Sequence, residues 1–308
     1  MSAHPIVERN ACPASDGSTT GVGVSFEFFP PGAGAAQEVL RQTLGALAPL
    51  GPDFLSVTYG AGGSTRHRTL ETADRIAGAT GVPVAGHLTC VGASRAQVDA
   101  VAVHYWEAGI RHIVALRGDM PDPAARFVPH PQGYRNAAEL VAGLKRIAPF
   151  EISVAAYPER HPESSGLQAD LDNLKAKLDA GADRAITQFF FAADTFHRFR
   201  DAVAAAGIAA EIVPGILPVI NAAQTRQFAQ RCGASFPGWL RRLFEGVDDP
   251  ALQQAIGAGA AAALCRDLYA GGARHFHFYT LNRAEVPYAL CRLLGKHGGA
   301  DMATAAAA

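Results

Sequence analysis

The sequence predicts an α/β fold, a single (β/α)8 TIM barrel, for most of its 308 residues. Three observations lead there. β-rich runs and amphipathic Ala/Leu-rich runs alternate with a period of roughly thirty residues, the text of strands joined by crossover helices. Eight such β runs follow one another, and eight parallel strands close a barrel. No G-x-G-x-x-G follows the first run, which weakens the open doubly wound sheet as an alternative.

The β runs fall at Val22–Phe29, Phe54–Tyr59, Val84–Cys90, His112–Leu116, Glu151–Tyr157, Arg184–Phe190, Glu211–Val219 and His275–Thr280. Helical text separates them, as in Ala35–Leu50, Ala93–Ala108, Leu167–Ala180 and Asp194–Ala206. Gly109, Gly181 and Gly207 stand at helix exits just before the next strand, where a left-handed residue ends a helix. Asp248–Gly272 reads as a short extra helix before strand eight. No linker interrupts the series, so 22–297 forms one barrel. The Ser/Thr/Gly/Ala/Pro-rich residues 1–21 read as a disordered leader and the small-residue stretch 298–308 as a disordered tail.

Composition narrows the function classes. Hydrophobic residues make up 49%, enough for a substantial core, and a net charge of −1 offers no electrostatic case for nucleic acid or an anionic membrane. The five cysteines are scattered and form no C-x-x-C pair, so neither zinc nor a disulfide framework follows, and a cytoplasmic location is expected. No basic-then-apolar start marks a signal peptide. The most apolar stretch, Ala251–Leu264, is too short to span a bilayer.

Chemistry should gather where the strands end. Glu27 lies in Ser25-Phe26-Glu27-Phe28-Phe29-Pro30-Pro31, near the end of the first strand. A carboxylate among phenylalanines is costly to bury unless it is paired or takes up a proton. It is therefore either a general acid with a raised pKa or a structural carboxylate bonded to amides or an arginine. Other strand ends carry Thr58 and Tyr59, His87 and Thr89, Arg117 and Asp119, Tyr157, Glu159 and His161, Gln188, and Tyr279, Asn282 and Arg283. Strand seven brings only the apolar turn Pro214-Gly215-Ile216-Leu217-Pro218. Polar groups on seven of eight strands point to a catalytic or cofactor-binding face.

Several of these motifs read two ways. Thr58-Tyr59-Gly60-Ala61-Gly62-Gly63-Ser64-Thr65 could cradle a phosphate, but it lacks a P-loop lysine. Arg117-Gly118-Asp119 could be a solvated ion pair, and His87 a satisfied core histidine. Phe189-Phe190-Phe191 reads as core, although rim phenylalanines also stack on planar rings. His161-Pro162-Glu163, and His275 with His277, suggest metal only weakly.

Taken together, the motifs resemble the methylenetetrahydrofolate reductase family. Phe26-Glu27-Phe28-Phe29-Pro30-Pro31, Ser56-Val57-Thr58-Tyr59-Gly60-Ala61, His87-Leu88-Thr89-Cys90 and Ala115-Leu116-Arg117-Gly118-Asp119 come in the family's order. So do Ala155-Ala156-Tyr157-Pro158-Glu159, the run Gly181–Phe191, Pro214-Gly215-Ile216-Leu217-Pro218 and Phe278-Tyr279-Thr280-Leu281-Asn282-Arg283, over about 24–294.

The resemblance implies a barrel that holds FAD non-covalently and reduces 5,10-methylenetetrahydrofolate to 5-methyltetrahydrofolate, with NADH or NADPH as donor in a ping-pong scheme. By position, Glu27 matches the acid that protonates folate N10, and Asp119 a carboxylate that tunes the flavin. Gln188, Gln224, Phe228, Tyr279 and Arg283 match folate or nucleotide contacts. The family's FAD contacts map to Thr58, Tyr59, His87, Leu116, Arg117, Gly118, Asp119, Tyr157, His161, Asp170, Asn173 and Lys177, and Ala182 matches a position that affects flavin retention. A homo-oligomer, tetramer or dimer, is implied, and no C-terminal regulatory domain that would bring inhibition by S-adenosylmethionine. Electrons from a redox partner protein, or a non-catalytic flavin- or folate-binding barrel, are the alternatives. Retention of Glu27 and Asp119 weighs against the second.

Overall fold

The computed structural model describes residues 21–60, 66–120, 122 and 125–297. The leader apart from Gly21, most of the glycine-rich loop and the tail lie outside these residues. Nine parallel strand segments form one sheet in the order β7-β6-β5-β4-β3-β2-β1-β9-β8. They are β1 Gly23–Phe28, β2 Phe54–Val57, β3 Val84–Thr89, β4 His112–Leu116, β5 Glu151–Ala156, β6 Arg184–Thr187, β7 Glu211–Val213, β8 Gly215–Ile216 and β9 His275–Tyr279.

Nine segments make eight staves. β7 pairs with β6 and β8 pairs with β9, and only Pro214 separates β7 from β8. Proline has no N–H to give a ladder. Its carbonyl still accepts from the His277 N–H at 3.0 Å, while the Gly215 N–H turns to Thr187 Oγ1 at 2.9 Å. The single run expected at Glu211–Val219 is thus one stave broken in the middle, and it closes the ring. Strand six is shorter than expected: after Thr187, Gln188 and Phe189 reach the rim, and Phe190 packs into the core.

The helices are α1 Ala35–Leu47, α2 Arg66–Thr80, α3 Arg95–Glu107, α4 Ala137–Ile147, α5 Leu167–Asp179, α6 Ala193–Ala205, α7 Ala222–Cys232, α8 Gly238–Leu243, α9 Pro250–Ala270 and α10 Glu285–Leu293. Starts follow the expected chemistry. Ser94 and Gln97 form a capping box on α3, Asn136 caps α4, and Asp249 caps α9 ahead of Pro250. The helix expected over Asp248–Gly272 is α9. It packs between α6 and α10, which gives it the seventh place in the outer ring and leaves α7 and α8 as the additional helices. Gly109, Gly181 and Gly207 all have positive φ, as their helix-exit positions require.

The pleat divides the strands into two faces. Phe26, Phe28, Ile113, Ile152, Phe276 and Phe278 point outward and are fully buried beneath the helices. Each such side chain contributes about 1.5–3 kcal/mol by leaving water. Phe54, Ala85, Val114, Ile186 and Val213 plug the interior. The rest of that interior is polar. Ser25 Oγ lies 3.0 Å from His275 Nε2 and 2.8 Å from His277 Nδ1, and His112 Nε2 lies 2.8 Å from Ser153 Oγ. At the N-terminal end of the barrel, Arg184 reaches Glu151 at 2.5 Å and Glu211 at 3.4 Å, with its guanidinium over the Phe54 ring. Among the described residues, no helix is long and apolar enough to cross a membrane.

Candidate active site

Two adjoining cavities occupy the C-terminal face of the barrel. One, of about 280 Å³, lies over the barrel axis, and the other, of about 440 Å³, lies between the ends of β4 and β5 and the start of α5. Leu116, Asp119, Ala155 and Tyr157 line both.

Glu27, Thr58, Tyr59, His87, Leu116, Asp119, Tyr157, Gln188, Phe228 and Tyr279 meet in the axial cavity. They arrive from β1, from the ends of β2 to β6 and β9, and from α7. The Glu27 side chain is 15% exposed, and its Oε2 lies 3.5 Å from His87 Nε2 and 3.9 Å from His277 Nε2. Burial raises the Glu27 pKa, against the pull of His87. Burial also drives His87 down to about 4 and His277 to about 3. Near neutral pH the rings are therefore uncharged and the carboxyl is biased toward keeping its proton. Among the described residues no arginine pairs with Glu27, and His87 is buried with an Nε2 that has no hydrogen-bond partner.

A clamp holds the acid in place. Thr280 Oγ1 donates to the Glu27 carbonyl at 2.6 Å. Asn282 Oδ1 accepts from the Phe29 N–H at 2.9 Å, and its Nδ2 donates to the Phe29 carbonyl at 3.0 Å. Leu281 and Asn282 take positive φ of 52° and 57° to form this turn, and Leu281 reaches the cavity. Opposite, Phe228 stacks on Phe189 with centroids 5.3 Å apart, and the Arg231 guanidinium lies over its ring. Phe189 through Phe191 are buried as core, and Phe189 is also a wall of the site. The Tyr279 hydroxyl donates to the Thr187 carbonyl at 2.7 Å.

Leu116, Arg117, Gly118, Asp119, Tyr157, His161, Asp170, Asn173 and Lys177 line the second cavity. Arg117 does not make its main pair with Asp119, 4.0 Å away; Glu163 holds it at 2.7 Å, and its guanidinium lies over Phe127. Asp119 is 87% exposed at the junction of the two cavities. Gly118 has φ 81°, and a Cβ there would meet Val91 and Thr89 at 2.6 and 2.8 Å. Lys177 is buried, donates to the Ala155 carbonyl at 2.5 Å, and is driven down to about 8 by burial, with Asp170 opposing. The Asp170 carboxylate accepts from the His161 N–H at 3.3 Å, and the His161 ring packs edge-on against Tyr157. Gly166 is the N-cap of α5 and offers no side-chain cap to its first-turn N–H groups, the kind of helix start that suits an anion.

Three expected residues stand apart. Gln224 sits in the first turn of α7, where its N–H donates to Asn221 Oδ1, and its side chain lines neither cavity. Arg283 borders a small void beside Tyr279 and Leu281. Ala182 packs against the core at the α5–β6 turn, its N–H on the Lys177 carbonyl. The structure adds Phe29, Leu217, His277, Leu281, Asn136 and Ser165 to the linings. Of these, only the strand alternation of His275 and His277 was a usable sequence signal. Those two rings meet at Ser25, and no group of three or more His, Cys, Asp or Glu suited to a metal occurs among the described residues.

Comparison with known proteins bears on this geometry. The chain matches the methylenetetrahydrofolate reductase family over residues 15–295. It is 50% identical over 275 residues to the 5,10-methylenetetrahydrofolate reductase of Pectobacterium carotovorum subsp. carotovorum, covering 89% of this chain and 90% of that one. It is 48% identical over 279 residues to the Escherichia coli K12 protein of the same name, covering 90% and 92%. A solved structure described as an uncharacterized Clostridium thermocellum protein that binds two copies of 5-methyl-5,6,7,8-tetrahydrofolic acid superposes with a TM-score of 0.63, covering 90% of this chain and 94% of that one. At 13% identity that likeness concerns the fold alone.

Proposed function

The chain belongs to the methylenetetrahydrofolate reductase family, and on that premise we propose that it reduces 5,10-methylenetetrahydrofolate to 5-methyltetrahydrofolate with NAD(P)H as donor and non-covalent FAD, Glu27 serving as general acid. The observation that carries this reading is the buried carboxyl of Glu27, its pKa raised by burial, set in a cavity that continues into a second one carrying Arg117 and Lys177.

The residues fit FAD. Arg117, Lys177 and the start of α5 suit a diphosphate, Asp170 and Asn173 offer polar partners to a ribose, and the junction at Leu116, Tyr157 and Asp119 leads a planar ring toward Glu27. FAD would supply hydride transfer between nicotinamide and folate. The chain's own groups do the rest. Phe228 offers a stacking face to a pterin or nicotinamide, and Gln188 a neutral hydrogen-bonding amide. The Glu27 carboxyl gives its proton to N10 as the C–N10 bond of the methylene bridge breaks. Phe228, Leu217 and Leu281 keep water from the iminium carbon that results. Asp119, at the shared mouth, stabilises positive charge on the folate. Nucleotide and folate would use one axial cavity in turn, hence a ping-pong order.

An absorption spectrum of the freshly purified protein, followed by anaerobic NADH or NADPH, tests the reading. A yellow band that bleaches and recovers with methylenetetrahydrofolate supports it. A band that neither nucleotide bleaches would transfer the donor role to a partner protein, and a colourless protein that cannot be reconstituted with FAD would overturn the proposal.

A further inference from the structure

Glu27 has a role in the proposed reaction, but three polar groups beneath it, Ser25, His275 and His277, have none. If Glu27 gives a proton to N10 at every turnover, it must recover one each time, and a co-substrate bound in the axial cavity would stand between it and solvent at the mouth. Below it, the barrel axis is not sealed with hydrocarbon. His277 Nε2 is 3.9 Å from Glu27 Oε2, and His277 Nδ1 is 2.8 Å from Ser25 Oγ. The same hydroxyl is 3.0 Å from His275 Nε2. His275 Nδ1 is 3.7 Å from both Asp53 and Glu211, carboxylates 50% and 49% exposed at the opposite end of the barrel. Gly23 makes that exit possible, since a Cβ there would stand 2.7 Å from the Asp53 carboxylate and 3.2 Å from the His275 ring.

We infer that His277, Ser25 and His275 form a proton relay that reloads Glu27 from the N-terminal end of the barrel, opposite the substrate mouth. A hydroxyl carries one hydrogen, so Ser25 placed between two ring nitrogens donates to one and accepts from the other. That makes the chain directional. With hydrogen on Nε2 of both rings, His277 passes its Nε2 proton to the Glu27 carboxylate and its Nδ1 takes the Ser25 proton. Ser25 takes the Nε2 proton of His275, and His275 Nδ1 takes one from solvent by way of Asp53 or Glu211. One proton enters, one leaves, and no intervening group keeps a charge. Reorientation of the hydroxyl and the rings resets the chain. A carboxyl rotation or a single water bridges each of the longer gaps.

The surroundings suit neutral carriers. Burial holds His277 and His275 well below their ordinary value, so each ring keeps one N–H and one lone pair at neutral pH. His87, His112 and Arg184 face the same interior, and repulsion among like charges there disfavours an imidazolium. His277 is 1% exposed and reaches Glu27 from the side away from the cavity mouth.

The relay rests on the acid role of Glu27, and the test separates the two. In Ser25→Ala holoenzyme, reduced beforehand and mixed with methylenetetrahydrofolate, the first turnover should keep its wild-type rate, because Glu27 starts protonated. Steady-state turnover should fall by up to roughly 10²-fold, the lower edge of the range for a lost proton-transfer group. Its solvent deuterium isotope effect should rise, and the carboxyl band of Glu27 in infrared difference spectra should return more slowly. His275→Phe should behave alike, which covers a Ser25→Ala variant that folds poorly. Wild-type steady-state rate and isotope effect in both variants, with Glu27→Gln still losing its first turnover, would overturn the relay and leave the acid standing. An equal loss in first and later turnovers would also overturn it, as the mark of a structural role. If Glu27→Gln keeps its first turnover, the acid assignment fails and the relay falls with it.

Discussion

Replacing Glu27 with glutamine removes one titratable proton and alters little else, because burial already shifts the carboxyl toward its neutral form. Losing a general acid costs roughly 10²–10⁴-fold, or about 3–5 kcal/mol of barrier. The upper part of that range is expected. The two nearest groups, His87 and His277, are held near 4 and 3, so neither is an imidazolium at neutral pH that could replace the carboxyl as acid toward N10. Stopped-flow mixing reads the halves separately: bleaching by NAD(P)H should stay near wild type, and recovery with methylenetetrahydrofolate should collapse. Equal loss in both halves would refute the acid role. A second readout needs no cofactor. A carboxyl whose folded pKa is raised contributes stability that is complete below the ordinary value of 4.5 and is lost as pH climbs through the folded value. Glutamine cannot ionise, so the thermal midpoint of Glu27→Gln relative to wild type should rise from pH 4.5 upward. A constant difference across that range would mean that the carboxyl is not buried as described.

Lys177→Met should stabilise the flavin-free protein most below pH 8, since the penalty of a buried ammonium is present there and vanishes above 10.5. That penalty is roughly 3 kcal/mol, from the gap between about 8 and 10.5. Melting curves across pH read it, and flavin retention should weaken in the same variant. Gly215→Ala would set a Cβ 2.2 Å from the Thr187 carbonyl and 2.7 Å from the Tyr279 ring, an overpacking cost of about 1–3 kcal/mol visible as a melting point several degrees lower. Phe228→Ala gives up a stacked pair worth about 0.5–1.5 kcal/mol and should raise the folate KM while flavin reduction changes little.

Much of the frame could be read along the chain, because strand alternation and helix-exit glycines are local signals. The split of strand seven could have been read too, since Pro214 lacks the N–H a ladder needs, but the compensating bond from Gly215 to Thr187 depends on a residue 28 positions away. Glu27 declared itself by being a carboxylate among phenylalanines. Its neighbours His87 and His277 did not, because the meeting of β1, β3 and β9 is set by ring closure rather than by any local pattern. Arg117 shows the limit most clearly. Adjacency in sequence suggested Asp119 as its partner, whereas the fold delivers Glu163 from the next loop.

The broken stave has a further consequence. Gln188, Leu217 and Tyr279 stand over the seam where β7 hands its pairing on to β8, while Arg117, Tyr157 and Lys177 stand over the unbroken neighbours β4 and β5. The vessel therefore has one wall of continuous ladders, expected to be the firmer, and one whose ladder is interrupted, expected to give. A permanent tenant would be gripped by the firm wall, and the visitors that come and go, one a flat pyridine and the other a longer pterin, would meet the wall that can give. Amide exchange should draw that line through the empty protein, with faster labels at 213, 215 and 216 than at 112–116.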